Sequence, residues 1–454
     1  MESSSPPTTT RPRRGAELEL RIDSLAYGGA GVARTDGYVV FVRDAVPGDR
    51  VRAQITKSKR HYAEGHAVEL LEASPDRIPP RAHHPGAPWQ VLPYERQIEA
   101  KAGQVDDALR RIGRLDGFVL EPIEPAVEQW RYRNKLEYSF GTDEQGDLVC
   151  GFHAPGRFDR IESVQDCLLA SERGNAVREQ VLAWCRAEGL SAWDRRTHEG
   201  LLRNLVVREG RRTGQIQARL VTSPGDLRAE ALAGAVDCDG LLWTRADTLG
   251  ETSAGGDTRV LAGSPELEEE LCDLRLKISP EAFFQPNTEM AERLYTIAGE
   301  YAALRGWEKV FDLYCGIGTV GLTLAARAGE LWGLEVVESA VADAIENARR
   351  NDVEHANFFA GDVRLALREL VDRAGRPDVV VVDPPRAGLS KKVVRRIIEA
   401  APRRLVYVSC NPTTLAPNAA QLVEAGWALR RVRPEDMFPQ TPHIECVALL
   451  ERDA

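Results

Sequence analysis

The sequence predicts a multi-domain protein with an N-terminal small β-barrel, a central α+β domain and a C-terminal doubly wound α/β domain. Three observations lead to this fold class. The chain has 454 residues, more than a single hydrophobic core ordinarily organises. Short β-type runs separated by turn residues crowd its N-terminal part. From about residue 276 onward, β-type runs alternate with helical stretches, which is the pattern of a parallel sheet covered by helices.

The N-terminal part divides into a tail and a barrel. Residues 1–15 are rich in Ser, Pro, Thr and Arg, which predicts a disordered tail. Residues 16–73 carry alternating or β-branched runs, interrupted at Gly28-Gly29, Asp36-Gly37 and Pro47-Gly48-Asp49. Five strands in so short a segment indicate a small closed barrel of the oligonucleotide-binding type. A barrel with a purely structural role is the alternative.

Residues 74–275 form the predicted central domain. A proline-rich joint, SPDRIPPRAHHPGAP, opens it at residues 74–88. Residues 94–112 then show a helical pattern, whereas the segments LLRNLVVRE and TGQIQARLVT show the pattern of strands. This mixture predicts an α+β domain without fixing the order of its strands.

The C-terminal domain, residues 276–454, gives the clearest pattern. The segment KVFDLYCGIGTVGLTLAARA reads as a strand, a glycine-rich turn and a helix. Four further strands are predicted in LWGLEVV, NFFAGD, PDVVVVDPPRAG and RLVYVSCNP, with helical stretches between them. Because strands and helices alternate, the domain is predicted to be a doubly wound parallel sheet.

Composition limits the location of the protein. No apolar run approaches the roughly 20 residues of a membrane span. The N-terminal MESSSPPTTTRPRRG lacks the apolar stretch of a secretory signal. The eight cysteines are scattered without a CxxC pair, which indicates reduced thiols. We therefore expect a cytoplasmic protein that does not insert into a membrane.

Charge gives a mixed indication of partners. The formal net charge of −10 argues against nucleic acid, but two segments are strongly basic. Arg50–Tyr62 carries five cations and no acid, and Arg386–Arg404 carries seven cations against Glu399. A solvated surface is the simpler interpretation of either run taken alone, so its meaning depends on what lies beside it.

The glycine-rich turn predicts a nucleotide-like cofactor. Gly316 and Gly318 begin a G-x-G-x-x-G pattern after a strand, with Asp312 four residues before the first glycine. Glu335 closes the next strand, where a carboxylate can accept hydrogen bonds from a ribose diol. To this point NAD and S-adenosylmethionine fit equally well, and a purely structural turn is a further alternative.

The next two strands separate the two cofactors. Asp362 follows NFFAG, and Asp383-Pro384-Pro385-Arg386 follows a run of valines. An acid-Pro-Pro cluster at the end of the fourth strand is typical of methyltransferases that act on nucleic-acid bases. A dehydrogenase has no use for it, so S-adenosylmethionine is favoured.

Cys410 is the candidate nucleophile. It lies at the carboxyl end of the strand that follows the one ending at Asp383, and ligands of open α/β sheets bind at these ends. A buried core thiol is the alternative, but the polar and turn-forming neighbours Ser409, Asn411 and Pro412 fit that interpretation poorly.

A thiol at this place suits methylation of a pyrimidine. C5 of uracil is a weak nucleophile, but addition of a thiolate to C6 makes C5 enolate-like and able to accept a methyl group. The thiol must lose its proton, so we expect a base or a positive field near it. Glu445, in DMFPQTPHIECVALL, is the candidate base for the C5 proton. An exposed strand glutamate is an equally weighted alternative.

The chain resembles the RNA uracil-5-methyltransferase family, which includes transfer-RNA and 23S ribosomal-RNA enzymes. The resemblance rests on ISPEAFFQPN, FDLYCGIGTVGLTLA, VVVDPPRAGL, YVSCNPTTLA and DMFPQTPHIECVALL. WRYRNKLEYSFG and LLRNLVVREGRRTGQ are similar to its central domain, and GGAGVAR with VFVRDAVPGDRV to its RNA-binding TRAM barrel. It implies a Rossmann-like methyltransferase domain, S-adenosylmethionine as cofactor and RNA as substrate. We expect a monomer.

The resemblance assigns a role to each matching position. Cys410 corresponds to the nucleophile and Glu445 to the general base. The positions that match contacts to S-adenosylmethionine are Gln285, Tyr314, Glu335 and Asp383, with Thr319 and Asp362 as further positions. The closest rival activity is that of RNA 5-methylcytosine enzymes, which usually have a second cysteine where this chain has Arg386. A non-catalytic RNA-binding relic is the other alternative.

One family feature is missing from the sequence. Many members bind a four-iron cluster through three cysteines in one loop and a fourth downstream. Here the loop PPRAHHPGAPWQVLPY has no cysteine, Ala82 stands at the first ligand position, and Cys167 matches the fourth alone. We therefore expect no iron–sulfur cluster and no metal ligand. His83 and His84 are interpreted as a surface loop, and Trp89 as the apolar plug that ties the loop to the central domain.

Overall fold

The computed structural model of the chain describes residues 11–35, 37–248, 250 and 255–452. The predicted disorder of residues 1–10 lies outside the described residues. The described chain divides into two compact units. The first comprises residues 11–83, 87–107 and 438–444, and the second comprises residues 84–86, 108–437 and 445–452.

The first unit contains a six-stranded sheet and one helix. The strands follow the order β1-β5-β6-β4-β3-β2 across the sheet. Their bounds are β1 Glu17–Arg21, β2 Ser24–Leu25, β3 Gly31–Thr35, β4 Tyr38–Arg43, β5 Arg50–Ser58 and β6 Tyr62–Glu72, and helix α1 spans Tyr94–Asp107. Inward-facing side chains from β1, β3, β4, β5 and β6 meet in one buried apolar cluster, as in a barrel. The sheet has one strand more than predicted, the two-residue β2.

Residues 11–15 run beside the barrel. The Gly15 amide donates to the Ile55 carbonyl over 2.8 Å, and the Arg11 guanidinium donates to both the hydroxyl and the carbonyl of Ser58. The part of the predicted tail that the structure describes therefore contacts strand β5.

The second unit begins with a π-helical turn and a short strand, and continues with a seven-stranded sheet. The turn spans Ala108–Ile112 and β7 spans Val119–Leu120. The sheet has the order β10-β9-β8-β11-β12-β13-β14. Its elements are β8 Lys135–Thr142, β9 Leu148–His153, β10 Ile161–Ser163, helix α2 Glu172–Ala187, β11 Leu202–Glu209, β12 Ile216–Thr222, helix α3 Ala229–Ala235, β13 Gly240–Arg245 and β14 Asp257–Gly263. Helix α2 covers one face over a buried apolar core.

The rest of the second unit is the doubly wound domain that the sequence predicts. A hairpin of β15 Leu267–Leu271 and β16 Leu274–Ile278 precedes it. Its further elements are α4 Thr288–Ala302, β17 Lys309–Leu313, α5 Thr319–Ala325, β18 Glu330–Glu335, α6 Glu338–Arg350, β19 Ala356–Ala360, α7 Val363–Ala374, β20 Val379–Val382, α8 Lys391–Ala400, β21 Arg404–Ser409, α9 Pro412–Glu424, β22 Trp427–Glu435 and β23 Glu445–Arg452.

The order of the strands indicates where a ligand binds in this domain. The sheet runs β19-β18-β17-β20-β21-β23-β22-β7, with β19 to β21 parallel and β23 antiparallel to β21. The chain reverses its winding direction between β17 and β20, which lie side by side. Ligands of open α/β sheets bind at such a switch point, outside the carboxyl ends of the strands.

Two features differ from the predicted domain limits. The predicted boundary between residues 275 and 276 falls inside β16. This strand is held on α6, because Asn347 and Asn351 accept hydrogen bonds from the backbone amides of Lys277 and Arg275. Strand β7 lies within the predicted limits of the central domain, residues 74–275, but it pairs with β22 at the edge of the C-terminal sheet.

Within the ranges that the structure describes, every helix is too short or too polar to cross a membrane.

Candidate active site

The glycine-rich turn joins β17 to α5 as predicted. Gly318 caps the helix with a φ of 86°, and a Cβ there would lie within 3.4 Å of three side chains. Tyr314, the residue after β17, also has a positive φ, 67°, which is uncommon for a non-glycine residue and marks a constrained functional turn. Gly316, with a φ of 53°, has open space where a side chain would stand. This turn leaves room for a ligand at the end of β17.

Asp312 lies beneath the turn. One carboxylate oxygen accepts a hydrogen bond from the Gly321 amide over 2.8 Å, and a Cβ on Gly321 would come equally close to that oxygen. The other oxygen, Oδ1, is buried and has no hydrogen-bond partner within the described part of the chain. The pKa of Asp312 is raised to about 7, mainly by burial and in part by the charges of Asp383 and Glu335, while the hydrogen bond from the Gly321 amide acts in the opposite direction.

Glu335 ends strand β18 and holds the turn. Its carboxylate accepts hydrogen bonds from the amides of Val336 and Val337 at 2.7 and 2.9 Å, and from the amide of Gly316 at 3.2 Å. Val336 is 62% exposed, which leaves an apolar surface beside the carboxylate. A ligand with a ribose and an apolar ring face fits this arrangement.

Asp362 and Thr319 lie where the resemblance places them, but both have protein partners. Asp362 caps helix α7, and its carboxylate pairs with the guanidinium of Arg364, which lowers the pKa of Asp362. The Thr319 hydroxyl lies 3.2 Å from the hydroxyl of Tyr295.

Gln285 and Asp383 meet at the switch point. The Gln285 amide group donates to the Asp383 carboxylate over 3.3 Å. Burial raises the pKa of Asp383 to about 6, and this hydrogen bond acts in the opposite direction. The two residues lie 98 positions apart in sequence, and the fold brings them within hydrogen-bonding distance.

The loop that carries Gln285 is fastened to the central sheet. The Asn134 side chain donates to the Gln285 carbonyl and to the Thr288 hydroxyl, at 2.8 and 2.9 Å. The buried Arg208 guanidinium donates to the carbonyls of Ser279, at 3.1 Å, and Ala282. Sequence reasoning did not assign these roles to Asn134 and Arg208. The feature that could have identified them is their position in WRYRNKLEYSFG and LLRNLVVREGRRTGQ, two segments that resemble the central domain of the family.

Cys410 follows strand β21 directly. Asn411 caps helix α9 with its side chain, and Pro412 occupies the first turn, where its missing amide hydrogen costs nothing. The thiol is therefore held at a strand-to-helix corner. It is half-buried, and this position does not fit the interpretation as a core thiol.

Glu445 begins strand β23, on the far side of the same corner. Val408 pairs with Val447, and Ser409 pairs with Cys446. Continuing this antiparallel register by one residue sets Cys410 opposite Glu445, with both side chains on the same face. Glu445 is only 3% exposed, so the alternative of an exposed strand glutamate is wrong.

The electrostatic surroundings of the thiol are mostly acidic. Burial raises the pKa of Cys410 to about 12, and the charges of Glu445 and Asp383 add to the rise. Arg386 acts in the opposite direction on both Cys410 and Glu445. Burial, together with Asp383, raises the pKa of Glu445 well above its usual range. Arg386 therefore supplies the positive charge that we expect near the thiol, but burial and the neighbouring acids have the larger effect on the pKa of Cys410.

The site fits S-adenosylmethionine by its charge and its open hydrogen-bonding atoms. Four acids lie at or just beyond the carboxyl ends of neighbouring strands of the sheet: Asp312, Glu335, Asp362 and Asp383. The Oδ1 atom of Asp312 is in addition a buried hydrogen-bond acceptor without a partner among the described residues. S-adenosylmethionine carries a positive sulfonium centre and an ammonium group, whose charges this acidic surface complements.

His84 corrects one prediction. His83 is exposed, but His84 is only 4% exposed and its Nε2 atom lies 3.3 Å from the Cys167 sulfur. The Gly86 amide donates to Nδ1, so a neutral ring carries its proton on Nε2 and donates it to the sulfur. Trp89 is buried as expected, but it packs beside Lys101, and its amide donates to the Gln440 carbonyl. The loop is therefore tied to Cys167 by the side chain of His84 and not by that of Trp89.

The basic segment Arg50–Tyr62 is largely neutralised by its neighbours. Strand β6 supplies acidic partners, so that Arg50 pairs with Glu72 and Lys57 with Glu64. Arg52 likewise pairs with an acid of β6. Lys59 and Arg60 lie exposed at the turn that follows β5. The positive surface is therefore smaller than the sequence suggested.

Comparisons with known proteins show the family to which this chain is related. A family described as tRNA (Uracil-5-)-methyltransferase matches residues 266–453, and the TRAM domain matches residues 11–68. An uncharacterized RNA methyltransferase of Halalkalibacterium halodurans is 37% identical, over 96% of this chain and 96% of its own length. One from Gloeobacter violaceus is 39% identical, over 97% of each chain.

A solved structure is similar over almost the whole length. It is the tRNA (uracil-54, C5)-methyltransferase of Pyrococcus abyssi in complex with S-adenosyl-L-homocysteine. The identity is 28%, the match covers 95% of this chain and 99% of that chain, and the TM-score is 0.79.

The fold and the site define an S-adenosylmethionine-dependent methyltransferase that acts on RNA. The chain belongs to the RNA (uracil-5-)-methyltransferase family, with an N-terminal TRAM domain. This membership removes the NAD-dependent enzyme as an alternative.

Proposed function

We propose that the protein transfers a methyl group to C5 of a uridine in transfer RNA or 23S ribosomal RNA, through a covalent bond between Cys410 and C6. The observation that carries the proposal is the pairing register that sets Cys410 opposite Glu445, with Asp383 and Arg386 close enough to affect the charge of both. A nucleophile and a base on the same face of the sheet suit the two steps of the reaction, which are addition of the thiolate to C6 and removal of the proton from C5.

The first step uses Cys410. The thiol loses its proton to solvent, which Arg386 favours and the neighbouring carboxyl groups oppose. The thiolate then adds to C6, and the electron pair of the C5–C6 double bond moves toward the C4 carbonyl as an enolate. C5 becomes nucleophilic as a result. S-adenosylmethionine supplies the electrophilic methyl group that C5 accepts.

The cofactor side of the site is assigned to four side chains. Glu335 is suited to the ribose hydroxyls, because its carboxylate closes β18 beside the open Gly316. Gln285 and Asp383 are suited to the charged end of the ligand, where Asp383 offers a carboxylate and Gln285 fixes its orientation. Tyr314, at the constrained turn, completes this surface.

The second step uses Glu445. Its carboxylate removes the proton from C5, the double bond between C5 and C6 forms again, and the electron pair of the C6–S bond returns to Cys410 as a thiolate. Burial makes Glu445 a stronger base than an exposed glutamate, because the low-dielectric surroundings favour its protonated form. Each turnover therefore leaves one proton on Glu445.

The decisive experiment compares RNA from cells with and without this gene. Transfer RNA and ribosomal RNA are mapped separately by mass spectrometry, and one 5-methyluridine should disappear from one of them. Loss of a 5-methylcytidine instead would establish the rival activity. In parallel, RNA containing 5-fluorouridine should form a stable adduct with the purified enzyme, because fluorine at C5 leaves Glu445 no proton to remove. Absence of any adduct would contradict the covalent step.

A further inference from the structure

A third side chain continues the row formed by Cys410 and Glu445. Glu445 of β23 pairs directly with Glu435, the last residue of β22. Directly opposed residues of neighbouring strands present their side chains on the same face, with Cβ atoms about 4.5–5.5 Å apart. Cys410, Glu445 and Glu435 therefore stand side by side on three adjacent strands.

A fourth side chain extends this row. Glu124 forms a parallel bridge with Glu435, in which the Glu124 amide donates to the Pro434 carbonyl and the Asp436 amide donates to the Glu124 carbonyl, both over 2.9 Å. Three carboxyl groups thus follow the nucleophile in cross-strand order: Glu445, Glu435 and Glu124. We call these three residues the carboxyl row.

The carboxyl row runs from the buried site toward solvent. Glu445 is 3% exposed and Glu435 is fully buried, whereas Glu124 is half-buried. A proton placed on Glu445 therefore has little direct access to water. The row provides a path whose far end does reach water.

Glu435 is unusual because its buried carboxyl group makes no hydrogen bond to any residue that the structure describes. Both of its carboxyl oxygens are buried without a hydrogen-bond partner among the residues that the structure describes. A buried carboxylate without partners costs several kcal/mol, so such a group ordinarily keeps its proton. A protonated carboxyl group has one oxygen that accepts a proton and another that donates one, which is what a relay needs.

The charges around Glu435 favour its protonated form. Burial raises its pKa well above the usual range, and three acids add to the rise: Glu445 from β23, Glu124 from the bridging segment and Asp436 from its own strand end. The exposed Arg293 of helix α4 acts in the opposite direction. Glu435 therefore keeps its proton more readily than an exposed glutamate does.

We propose that the carboxyl row is a proton exit, which carries the C5 proton from Glu445 through Glu435 to Glu124 and water after each methyl transfer. The proposal rests on the proposed function. Rotation of the neighbouring side chains first brings the three carboxyl groups within hydrogen-bonding distance. Protonated Glu445 then gives its proton to one oxygen of Glu435, while Glu435 releases the proton on its other oxygen to the Glu124 carboxylate. Glu124 then gives a proton to water. One proton enters the row and one leaves it, and Glu445 is restored as a carboxylate.

The test is the kinetics of Glu435→Gln, a substitution of equal size that cannot pass a proton on. The first turnover, measured by rapid quench with excess enzyme, should stay within about twofold of the wild type, because it needs only Cys410 and an ionised Glu445. Steady-state kcat should fall at least tenfold with KM for both substrates unchanged. The reaction should therefore show a burst of one methyl group per enzyme.

Three further variants and a second readout sharpen the test. Glu435→Asp keeps a carboxyl group and should recover at least threefold of the lost kcat. Glu124→Gln should lose only two- to threefold, because water reaches that end of the row. Glu128→Gln, at an exposed position of the same segment, should match the wild type. The second readout is the burst itself, which should appear in Glu435→Gln and be absent from Glu128→Gln.

The outcomes separate the two proposals. If the wild-type enzyme makes no 5-methyluridine, the proposed function is refuted, and the proposal of a proton exit is refuted with it. If the wild type turns over and Glu435→Gln keeps the wild-type kcat, the exit alone is refuted. A slow first turnover in Glu435→Gln, or no recovery in Glu435→Asp, would also refute it, because either result assigns Glu435 a purely structural role.

Discussion

Ser409 pairs with Cys446 across strands β21 and β23, and this one pairing determines how the two candidate reacting groups face each other. Cys410 is the next residue on one strand and Glu445 is the preceding residue on the other. Because a shift of either strand by one residue would turn its side chain to the opposite face of the sheet, this register is what keeps Cys410 and Glu445 on the same face.

Substitution of Cys410 should separate chemistry from cofactor binding. Cys410→Ala should reduce methyl transfer to RNA by at least three orders of magnitude, since no other group adds to C6. Affinity for S-adenosylmethionine, measured by calorimetry, should stay within about twofold, because the cofactor positions lie at the ends of β17, β18 and β20 and on the loop before α4. Turnover near the wild-type level in this variant would contradict the covalent mechanism.

Substitution of Glu445 should stop the reaction one step later. Glu445→Gln cannot take the C5 proton, so methylated RNA should remain bonded to Cys410 and migrate with the protein on a denaturing gel. The matched control is the double variant Cys410→Ala/Glu445→Gln, which should show no such band. A single variant that releases methylated RNA at the normal rate would exclude Glu445 as the base.

The exposed cations that follow β5 should contribute to RNA binding. Replacing Lys59 and Arg60 together by Ala should weaken binding, and should reduce the slope of log affinity against log salt by roughly 1.4 if both contact phosphates of a single strand. Lys57→Ala removes a cation already paired with Glu64 at 2.6 Å, so its effect should be smaller. The modified nucleotide should not change. Unaltered affinity in the double variant would exclude this face of the barrel.

Cofactor affinity should depend on pH through two buried acids. The pKa of Asp312 is raised to about 7 and that of Asp383 to about 6, so both are protonated as the pH falls through these values. Protonation removes negative charge that a cationic ligand needs. Affinity for S-adenosylmethionine should therefore be greatest above pH 7 and fall between pH 7 and pH 5.5, and binding at pH 6.5 should release protons. Asp383→Asn should flatten the lower part of this profile. A wild-type affinity independent of pH would contradict the assignment.

Purified protein should contain no iron–sulfur cluster, because such clusters ordinarily need four cysteine thiolates and Cys167 stands alone in its loop region. Preparations made with and without oxygen should be equally colourless, iron-free and active. Metal analysis alongside the methyl-transfer assay tests this. An anaerobic preparation that is brown and rich in iron would overturn the prediction and reveal ligands not recognised in the sequence.

The features that could be predicted from the sequence are those set by local pattern. The glycine-rich turn, the carboxylates that follow successive strands and the position of Cys410 all depend on where a strand ends, and the alternation of apolar residues shows this directly. The carboxyl row could not be predicted, because its order depends on which strands become neighbours. Nothing in the chain around Glu435 distinguishes it from a surface acid.

Two errors have the same physical origin. Two adjacent histidines without nearby cysteines predict a surface loop, but His84 is buried because its partner Cys167 lies 83 positions away in the chain. Arg50–Tyr62 seemed strongly cationic because the acids that neutralise it belong to the next strand, β6. Pairing over long sequence distances changes both exposure and charge, and neither change can be read from a segment alone.

The short strand β7 has a consequence for how the protein can be divided. It lies before the central sheet in the chain but covers the outer edge of β22 in the C-terminal sheet. The catalytic module is therefore assembled from two separated stretches of polypeptide, and the central sheet is an insertion between them. A fragment cut to begin at residue 266 would leave β22 with open backbone donors and acceptors, a template for pairing with other chains. Minimal versions of this enzyme should therefore retain residues 119 and 120, by circular permutation or by a linker that replaces the insertion.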